Sequence, residues 1–481
     1  MSMKEELIEK IQNKTLTMGV CGLGYVGLPL AVDKAKHGFR TIGFDVQQEK
    51  VNMVNAGKNY IGDVVDADLE KLVKAGMLSA TTDFSRVCDV DFIAICVPTP
   101  LDKHQQPPQT VSEKRKQTDP FMPDDCIPAA VKAIAIDRIE KGLSAHYTHP
   151  VGDAELKAAI ARKLARKNGL SVVPERNILI TPGSDSGLLF AMMPFLEAGD
   201  EVLVPDPSYP SNYLNCKLLG AKAVHVPTWY DDNYRIHIEE LEKRVTPHTK
   251  MVLLTHPNNP TTVVYRKDNL EELARFIVRH NLVLVCDQAF EDHIFDGIEF
   301  VSPCTLPGMW ERTVTVCSLS KGYGLSGYRM AYLYADDHIM DVFYGGAVNV
   351  LGAPCTASTF GAIAALKDKT ILPEYYERLD RRRRLAYEIL GSAPGVKMRM
   401  SESGILSWLD VSALGTSQEV ADYLMEHAKI MVNQGTPYGE QGAGFIRIVT
   451  ACFAKDEDAV QRFERIKAAF TELARQKGLI T

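Results

Sequence analysis

The sequence predicts an α/β protein in two unequal units: half of a doubly wound parallel sheet, then a larger α/β unit that ends in a smaller α+β one. Three observations predict it. Short apolar strands alternate with helical patterns along the chain, the order that parallel sheets with crossover helices require. The alternation breaks once, at KHQQPPQTVSEKRKQ, a polar stretch bearing Pro and Gln without periodicity, which reads as a connector. The length, 481 residues, is also more than one hydrophobic core usually organises.

In the front unit, LTMGV (16 to 20), TIGFD (41 to 45) and DFIAICV (91 to 97) read as strands. A helix is expected from about Leu28 and a longer helical stretch between the last two strands. Beyond the connector, strands are expected at ILIT (178 to 181), EVLV (201 to 204), MVLLT (251 to 255), LVLVCD (282 to 287) and TVTVCS (313 to 318). Past about residue 355, charged helical patterns give way to ILSWLDV (405 to 411) and FIRIVT (445 to 450), closed by a terminal helix. The expected domains are therefore 1–104, a linker at 105–118, a large domain at 119–355 and a small one at 356–481. The run Arg381 to Arg384 lies among Glu374, Glu377 and Glu388 and reads as a solvated helix face.

Composition narrows the function. Apolar residues make up 46% and charged residues 24%, as in a folded soluble protein. The net charge of -7 provides no positive field for nucleic acid or an anionic membrane, so a small molecule is the expected partner. The ten cysteines form no CxxC pair or zinc-like grouping and read as reduced core residues. The charged opening MSMKEELIEKIQNK is unlike a signal peptide, and no run of about 18 apolar residues occurs. A cytoplasmic protein is the expectation.

Gly22-Leu23-Gly24-Tyr25-Val26-Gly27 follows a strand and opens a helix, and Asp45 ends the next strand. In a dinucleotide fingerprint Gly22 permits the turn, Gly24 lets a pyrophosphate approach the helix N-terminus, Gly27 packs on the strand and Asp45 accepts from a ribose diol. NAD is the expected ligand. GLGYVGLPLA, GFDV and ICVPTPLD together resemble the N-terminal domain of the UDP-glucose/GDP-mannose dehydrogenase family, over residues 16 to 103. That family's second Rossmann half, linking helical domain and catalytic Cys setting do not follow. Cys452-Phe453-Ala454-Lys455-Asp456 lacks the preceding glycines and the Pro, and reads as a decoy. A Rossmann-like domain that binds without hydride chemistry is expected.

The chemistry gathers further on. Lys321, in Ser318-Leu319-Ser320-Lys321, follows an apolar strand, with Arg329 eight residues later beyond a Gly-rich turn. Burial at a strand end would free a lysine amine to attack a carbonyl. Asp287 closes LVLVCD at the strand edge where open α/β sheets keep ligands. TPGSDSG (181 to 187) precedes an apolar helix and offers free N–H groups to a phosphate.

With these motifs in order, residues 118 to 481 resemble a fold-type I, class I/II pyridoxal-phosphate aminotransferase. The resemblance implies pyridoxal 5′-phosphate as cofactor, with Lys321 as its Schiff-base lysine and Asp287 on its ring nitrogen. Ser318, Ser320, Arg329, Ser184 and Asp185 would surround the phosphate. Tyr209, in DPSYPSNY, would stack on the ring, and Asn259, in HPNNPTT, would bond its phenolic oxygen. Arg447, in GFIRI, would grip the substrate carboxylate with a fork that Lys lacks. Tyr147, in HYTHPVG, would reach the neighbouring subunit's phosphate, which implies a homodimer. The substrate would be an amino acid.

The chain also departs from that family. Phe290 stands where Asp-x-Ala-Tyr has its Tyr, Thr262 where Asn-Pro-x-Gly has its Gly, and Thr118-Asp119-Pro120 where a Gly-x-Pro segment is common. Loss of the Tyr hydroxyl leaves oxidation, elimination or replacement, and carbon–carbon bond formation as alternatives to amino transfer. NAD could then serve as substrate or effector. A bifunctional nucleotide-sugar dehydrogenase and aminotransferase is the rival from another class.

Overall fold

The computed structural model describes residues 3–24, 26–61, 64–96 and 127–481. The connector at 105–118, the segment Thr118-Asp119-Pro120 and Tyr25 lie outside them. The chain divides into two compact units, Met1–Arg115 and Lys116–Thr481.

In the front unit, strands β1 (Thr17–Cys21), β2 (Arg40–Phe44), β3 (Leu78–Thr81) and β4 (Phe92–Ile95) form a sheet of order β3-β2-β1-β4. Every pairing is parallel. The helix Gly27–Lys36 buries Leu28, Ala31, Val32 and Ala35, the i, i+3, i+4 spacing of one helical face. The expected single helical stretch after β2 is instead two helices, Gln48–Asn55 and Asp66–Lys74, followed by β3. Gly57 and Gly76, both at positive φ, end them in the way glycine ends helices.

The larger unit holds seven strands: β5 (Ile178–Thr181), β6 (Glu201–Asp206), β7 (Lys222–Pro227), β8 (Thr249–Thr255), β9 (Val283–Asp287), β10 (Thr313–Ser318) and β11 (Ala331–Tyr334). Their order is β5-β11-β10-β9-β8-β6-β7. Only β11 runs against the others. Alternation along the strands sends Leu203, Val252, Leu254 and Leu284 into one core, and Val202, Val204, Leu253 and Val285 into another. Both faces are covered, which is why these strands read as unbroken apolar runs. A separate antiparallel sheet, β12 (Lys397–Met398), β13 (Leu406–Asp410), β14 (Asn433–Gln434) and β15 (Phe445–Val449), has the order β12-β13-β15-β14. Its core includes residues of the helices Ile371–Leu390 and Asp456–Gln476. The helix Thr356–Lys367 packs Ala362, Ile363 and Ala365 with Leu156, Ile180 and Tyr332, on the seven-stranded side.

The arginine run corrects half of the sequence expectation: Arg381 and Arg384 are exposed, but the two between them are not. Arg382 and Arg383 are 1% and 2% exposed. Arg383 bonds Asp296, Asp380 and the Ser401 carbonyl and lies over the Phe295 ring. Arg382 reaches Asp456 and the Ala451 carbonyl. Counting helical charges could not show this, because the compensating carboxylates Asp296 and Asp456 are far away in sequence. Cys88 and Cys355 are exposed, unlike the buried set expected, and the described cysteines are free thiols. Among the described residues no helix is long and apolar enough to cross a membrane.

Candidate active site

The carboxyl ends of β5, β6, β8, β9 and β10 share one edge of the large sheet, and the predicted residues leave from it: Gly183 to Asp185, Tyr209, Asn259, Asp287 and Lys321. Parallel strands ending in loops on one side place such side chains together whatever their distance in sequence.

At β5, the helix Ser184–Met192 begins without a side-chain cap, after Gly183 at φ 93°. Its first-turn N–H groups form a ready anion site. A Cβ at Gly183 would collide with the Arg329 guanidinium, so only glycine lets that cation lie on the turn. Arg329 itself takes a left-handed backbone, φ 51°, a sparsely populated conformation for a long side chain. Asp185, besides its N–H, presents its carboxylate. Arg329 lies 3.9 Å from it, and the Tyr209 hydroxyl donates to it at 3.1 Å. Burial, then Asp185, pushes the Tyr209 phenol up to about 12, so the hydroxyl keeps its proton.

Asp287 ends β9 and is 4% exposed. Its Oδ1 accepts from the Ala289 N–H at 3.0 Å, and no described cation forms an ion pair with it. Burial, and more weakly Asp185, raises its carboxyl to about 7. Lys321 lies on the four-residue helix Leu319–Gly322 after β10, so it follows the strand end and is half-buried. The Ser318 hydroxyl caps that helix by accepting from Ser320 N–H, and Ser320 is buried. Phe290 packs with Phe295, Leu379, Ile405 and Val449. Thr262 has φ 67°, which shows why glycine suits that place; a β-branched residue there costs about 1–3 kcal/mol.

Arg447, on β15, is buried. It donates to Asn259 Oδ1 at 3.1 Å and Asn433 Oδ1 at 2.8 Å, lies over the Tyr438 ring, and leaves its buried Nε unpartnered. No described carboxylate forms an ion pair with it. The structure thus brings Arg447 to Asn259, and Tyr209 to Asp185 and Arg329. Tyr147 stands apart, 94% exposed, although its neighbours are held: Thr148 Oγ1 donates to the Pro354 carbonyl and Thr356 Oγ1 to that of His146.

Sequence reasoning missed a buried charge cluster behind Lys321. Lys163 Nζ lies 2.5 Å from Glu291 and 3.0 Å from Asp292, and Lys167 3.2 Å from Asp292. Burial would discharge Lys163, but Asp292 and Glu291 outweigh it and hold its pKa above the ordinary lysine value. Asp292 packs so closely on Gly322 that a Cβ there would collide with it, and His293 Nε2 faces the Gly322 carbonyl at 3.2 Å. Helical periodicity held the signal: with Leu156 and Ile160 buried, Lys163 falls on the same face. The Cys452 thiol points to the Val449 carbonyl and burial raises it to about 11, away from the thiolate a nucleophile needs.

In the front unit, Gly22 has φ 85° and a Cβ at Gly24 would meet nothing within 4 Å. A Cβ at Gly27 would collide with the Gly22 carbonyl, and the helix Gly27–Lys36 lacks a side-chain cap. Asp45 accepts from Leu23 N at 2.8 Å and Gln47 N at 2.9 Å, with Lys50 3.9 Å away.

Comparison with known proteins agrees with this arrangement. Residues 16–117 match the UDP-glucose/GDP-mannose dehydrogenase family, NAD binding domain, and residues 120–463 match Aminotransferase class I and II. The chain is 32% identical to aromatic-amino-acid aminotransferase 2 of Thermococcus litoralis, over 72% of this chain and 89% of that one. It is likewise 32% identical to an aspartate aminotransferase of Pyrococcus abyssi over the same shares. The solved aromatic aminotransferase of Pyrococcus horikoshii superposes with a TM-score of 0.70 at 30% identity, covering 75% of this chain and 95% of that one. With most of its length matched in sequence and in fold, the chain belongs to the class I and II aminotransferase family of pyridoxal-phosphate-dependent transferases.

Proposed function

We propose that this chain, as a homodimer, moves an amino group between an amino acid and a 2-oxo acid, and that residues 16–103 bind NAD without transferring hydride. In this reading residues 119–355 form the large cofactor-binding domain and residues 356–481 the small C-terminal domain. One observation carries the first part: two buried charges lack a described counter-ion, the Asp287 carboxylate at the edge of the large sheet and the Arg447 guanidinium of β15, which bonds Asn259. Uncompensated buried charge is costly, and a ligand pair offering a ring N–H and a carboxylate satisfies both.

Bound pyridoxal phosphate supplies a carbonyl for the substrate amine and a ring that withdraws electrons from its α-carbon. Arg329 and the N–H groups of Ser184 and Asp185 would hold its phosphate, with Ser318, Ser320 and the partner subunit's Tyr147 beside it. Asp287 would keep the ring nitrogen protonated, Tyr209 would stack on the ring and Asn259 would bond its phenolic oxygen. Arg447 would fix the substrate carboxylate. The Lys321 amine would hold the cofactor until substrate arrives, then take the α-proton and return it. An α-amino acid as substrate is supported by relatives named for aromatic amino acids and for aspartate. Phe290, in place of a hydroxyl-bearing ring, is the observation that favours another outcome on the same cofactor.

In the front unit, Gly22, Gly24 and Gly27 would seat a pyrophosphate at the helix N-terminus, and the remaining lone pairs of Asp45 would accept the ribose diol. The test is to incubate the full chain and pyridoxal phosphate with amino acids and 2-oxo acids, with and without NAD, and to weigh the products. Exchange of amino groups independent of NAD is expected. Products of elimination, or NAD consumed only when an amino acid is present, would replace the aminotransferase reading. NADH formed from UDP-glucose would establish the bifunctional rival.

A further inference from the structure

Arg447 is reached through a loop whose anchorage lies outside the residues so far assigned. Asp206 ends β6 with its carboxylate 1% exposed. Its Oδ2 accepts from His225 Nδ1 at 2.7 Å and from the Glu440 N–H at 2.9 Å, and its Oδ1 from the Gln441 N–H at 3.1 Å. A Cβ at Gly439, φ 122°, would collide with the same carboxylate, so backbone lies directly on it. Just before that glycine, the Tyr438 carbonyl accepts from Ser208 N–H at 2.8 Å and from the Tyr213 hydroxyl at 3.0 Å. The Tyr213 ring in turn stacks on His225, 4.4 Å between centroids. Tyr438 lies under the Arg447 guanidinium, and the loop runs on into β15, which carries Arg447.

We propose that Asp206, steadied by His225, is a positioning residue: it docks the 435–443 loop on the end of β6 and so sets Arg447 for the substrate carboxylate. The inference rests on the reading of Arg447 given above. The chemistry is specific to a carboxylate. Each oxygen faces a backbone donor and one also faces the imidazole, so all three contacts need an acceptor, and two of them fix successive residues of one loop. An amide of equal size must turn its NH2 toward one of those donors and lose that contact. His225 holds the carboxylate plane from β7, whose register places His225 opposite Val204. The position of Arg447 thus depends on the large sheet as well as on its own strand.

Asp206→Asn and His225→Ala, in the pyridoxal-phosphate-loaded full chain, test this against Arg447→Lys. The amino-acid KM, and the Kd of succinate and 3-phenylpropionate by titration calorimetry, should rise about five- to tenfold in both variants, as expected for one charge-assisted contact. The turnover at saturation and the cofactor's visible band should stay as in wild type, whereas a purely structural lesion would lower the active fraction and leave KM alone. If Arg447→Lys leaves carboxylate binding intact, the reading of Arg447 fails. If Arg447→Lys weakens it while Asp206→Asn and His225→Ala do not, the docking role alone is overturned. Should Asp206→Asn not accumulate as folded protein, His225→Ala, on a part-exposed ring, decides the same question.

Discussion

The two units use the same sheet edge differently. Both place glycine turns and helix N-termini at the carboxyl ends of parallel strands. In the front unit the acidic residue at that edge is already engaged: Asp45 takes two backbone N–H groups and lies near Lys50. In the larger unit Asp287 and Arg447 are buried with hydrogen bonds but no described counter-ion. In the proposed reading the front unit binds through backbone geometry, whereas the larger unit works through buried charged groups that the fold leaves without a counter-ion and that a ligand would perturb most.

The largest expected effect tests that division directly. Lys321→Ala should lower amino transfer on the order of a thousandfold or more and remove the cofactor's visible band, even after incubation with excess pyridoxal phosphate. A band that survives dialysis and is lost on borohydride treatment would move the attachment to another lysine. Next is Lys163→Ala, which leaves Asp292 and Glu291 buried without their ammonium partner. Breaking such a pair costs about 3–5 kcal/mol, readable as a lowered urea midpoint. A midpoint within the error of wild type would mean that Lys167 compensates.

Asp287 gives the comparison a pH dependence. Burial raises its carboxyl from 3.8 to about 7, so the folded apoprotein binds this proton more tightly than the unfolded chain. Its contribution to stability is therefore present at low pH and lost as pH rises from about 4 to about 7. A ring N–H supplies the missing partner, so the Tm gain on adding pyridoxal phosphate should be larger near pH 8 than near pH 5. In Asp287→Asn that difference should vanish; its persistence would assign the slope to another group. In the front unit, Asp45→Ala should weaken NAD binding about tenfold by calorimetry, the value of one good polar contact, with amino transfer untouched. No heat with wild type would leave the glycines as a structural turn.

What the sequence made legible follows the same physics. The strands of the large sheet were visible because both faces are buried and the runs are unbroken, and the loop motifs stood at their ends. Strand β3 was not, because Leu78–Thr81 is four residues long, is half-buried on alternate positions and directly follows a helix and its glycine turn. Arg382 and Arg383 were read as surface charge and Lys163 was passed over, since their partners Asp456, Asp296, Glu291 and Asp292 are brought close only by tertiary folding. Asp206 was likewise hidden: nothing in DPSYP shows that its carboxylate receives the N–H groups of Glu440 and Gln441.

Phe290 carries the smallest expected effect and divides the site most finely. Its ring is buried with Phe295, Leu379, Ile405, Leu406 and Val449, and a Cβ at Gly404 would press against it. Phe290→Tyr adds one hydroxyl to this packing. If the ring edge faces the cofactor's phenolic oxygen, the hydroxyl finds an acceptor there, favours the deprotonated form and moves the pH of the visible spectral change downward by up to about one unit. Stability would then hold. If the ring edge faces the apolar cluster, the hydroxyl is buried without a partner, costs about 1–3 kcal/mol, and lowers Tm with the spectrum unmoved. The first outcome is expected, because Phe290 follows Asp287 by three residues, on the loop that leaves the same strand end. The second would mean that this chain tunes its cofactor without a hydroxyl from that loop, and would sharpen the case for a reaction other than amino transfer.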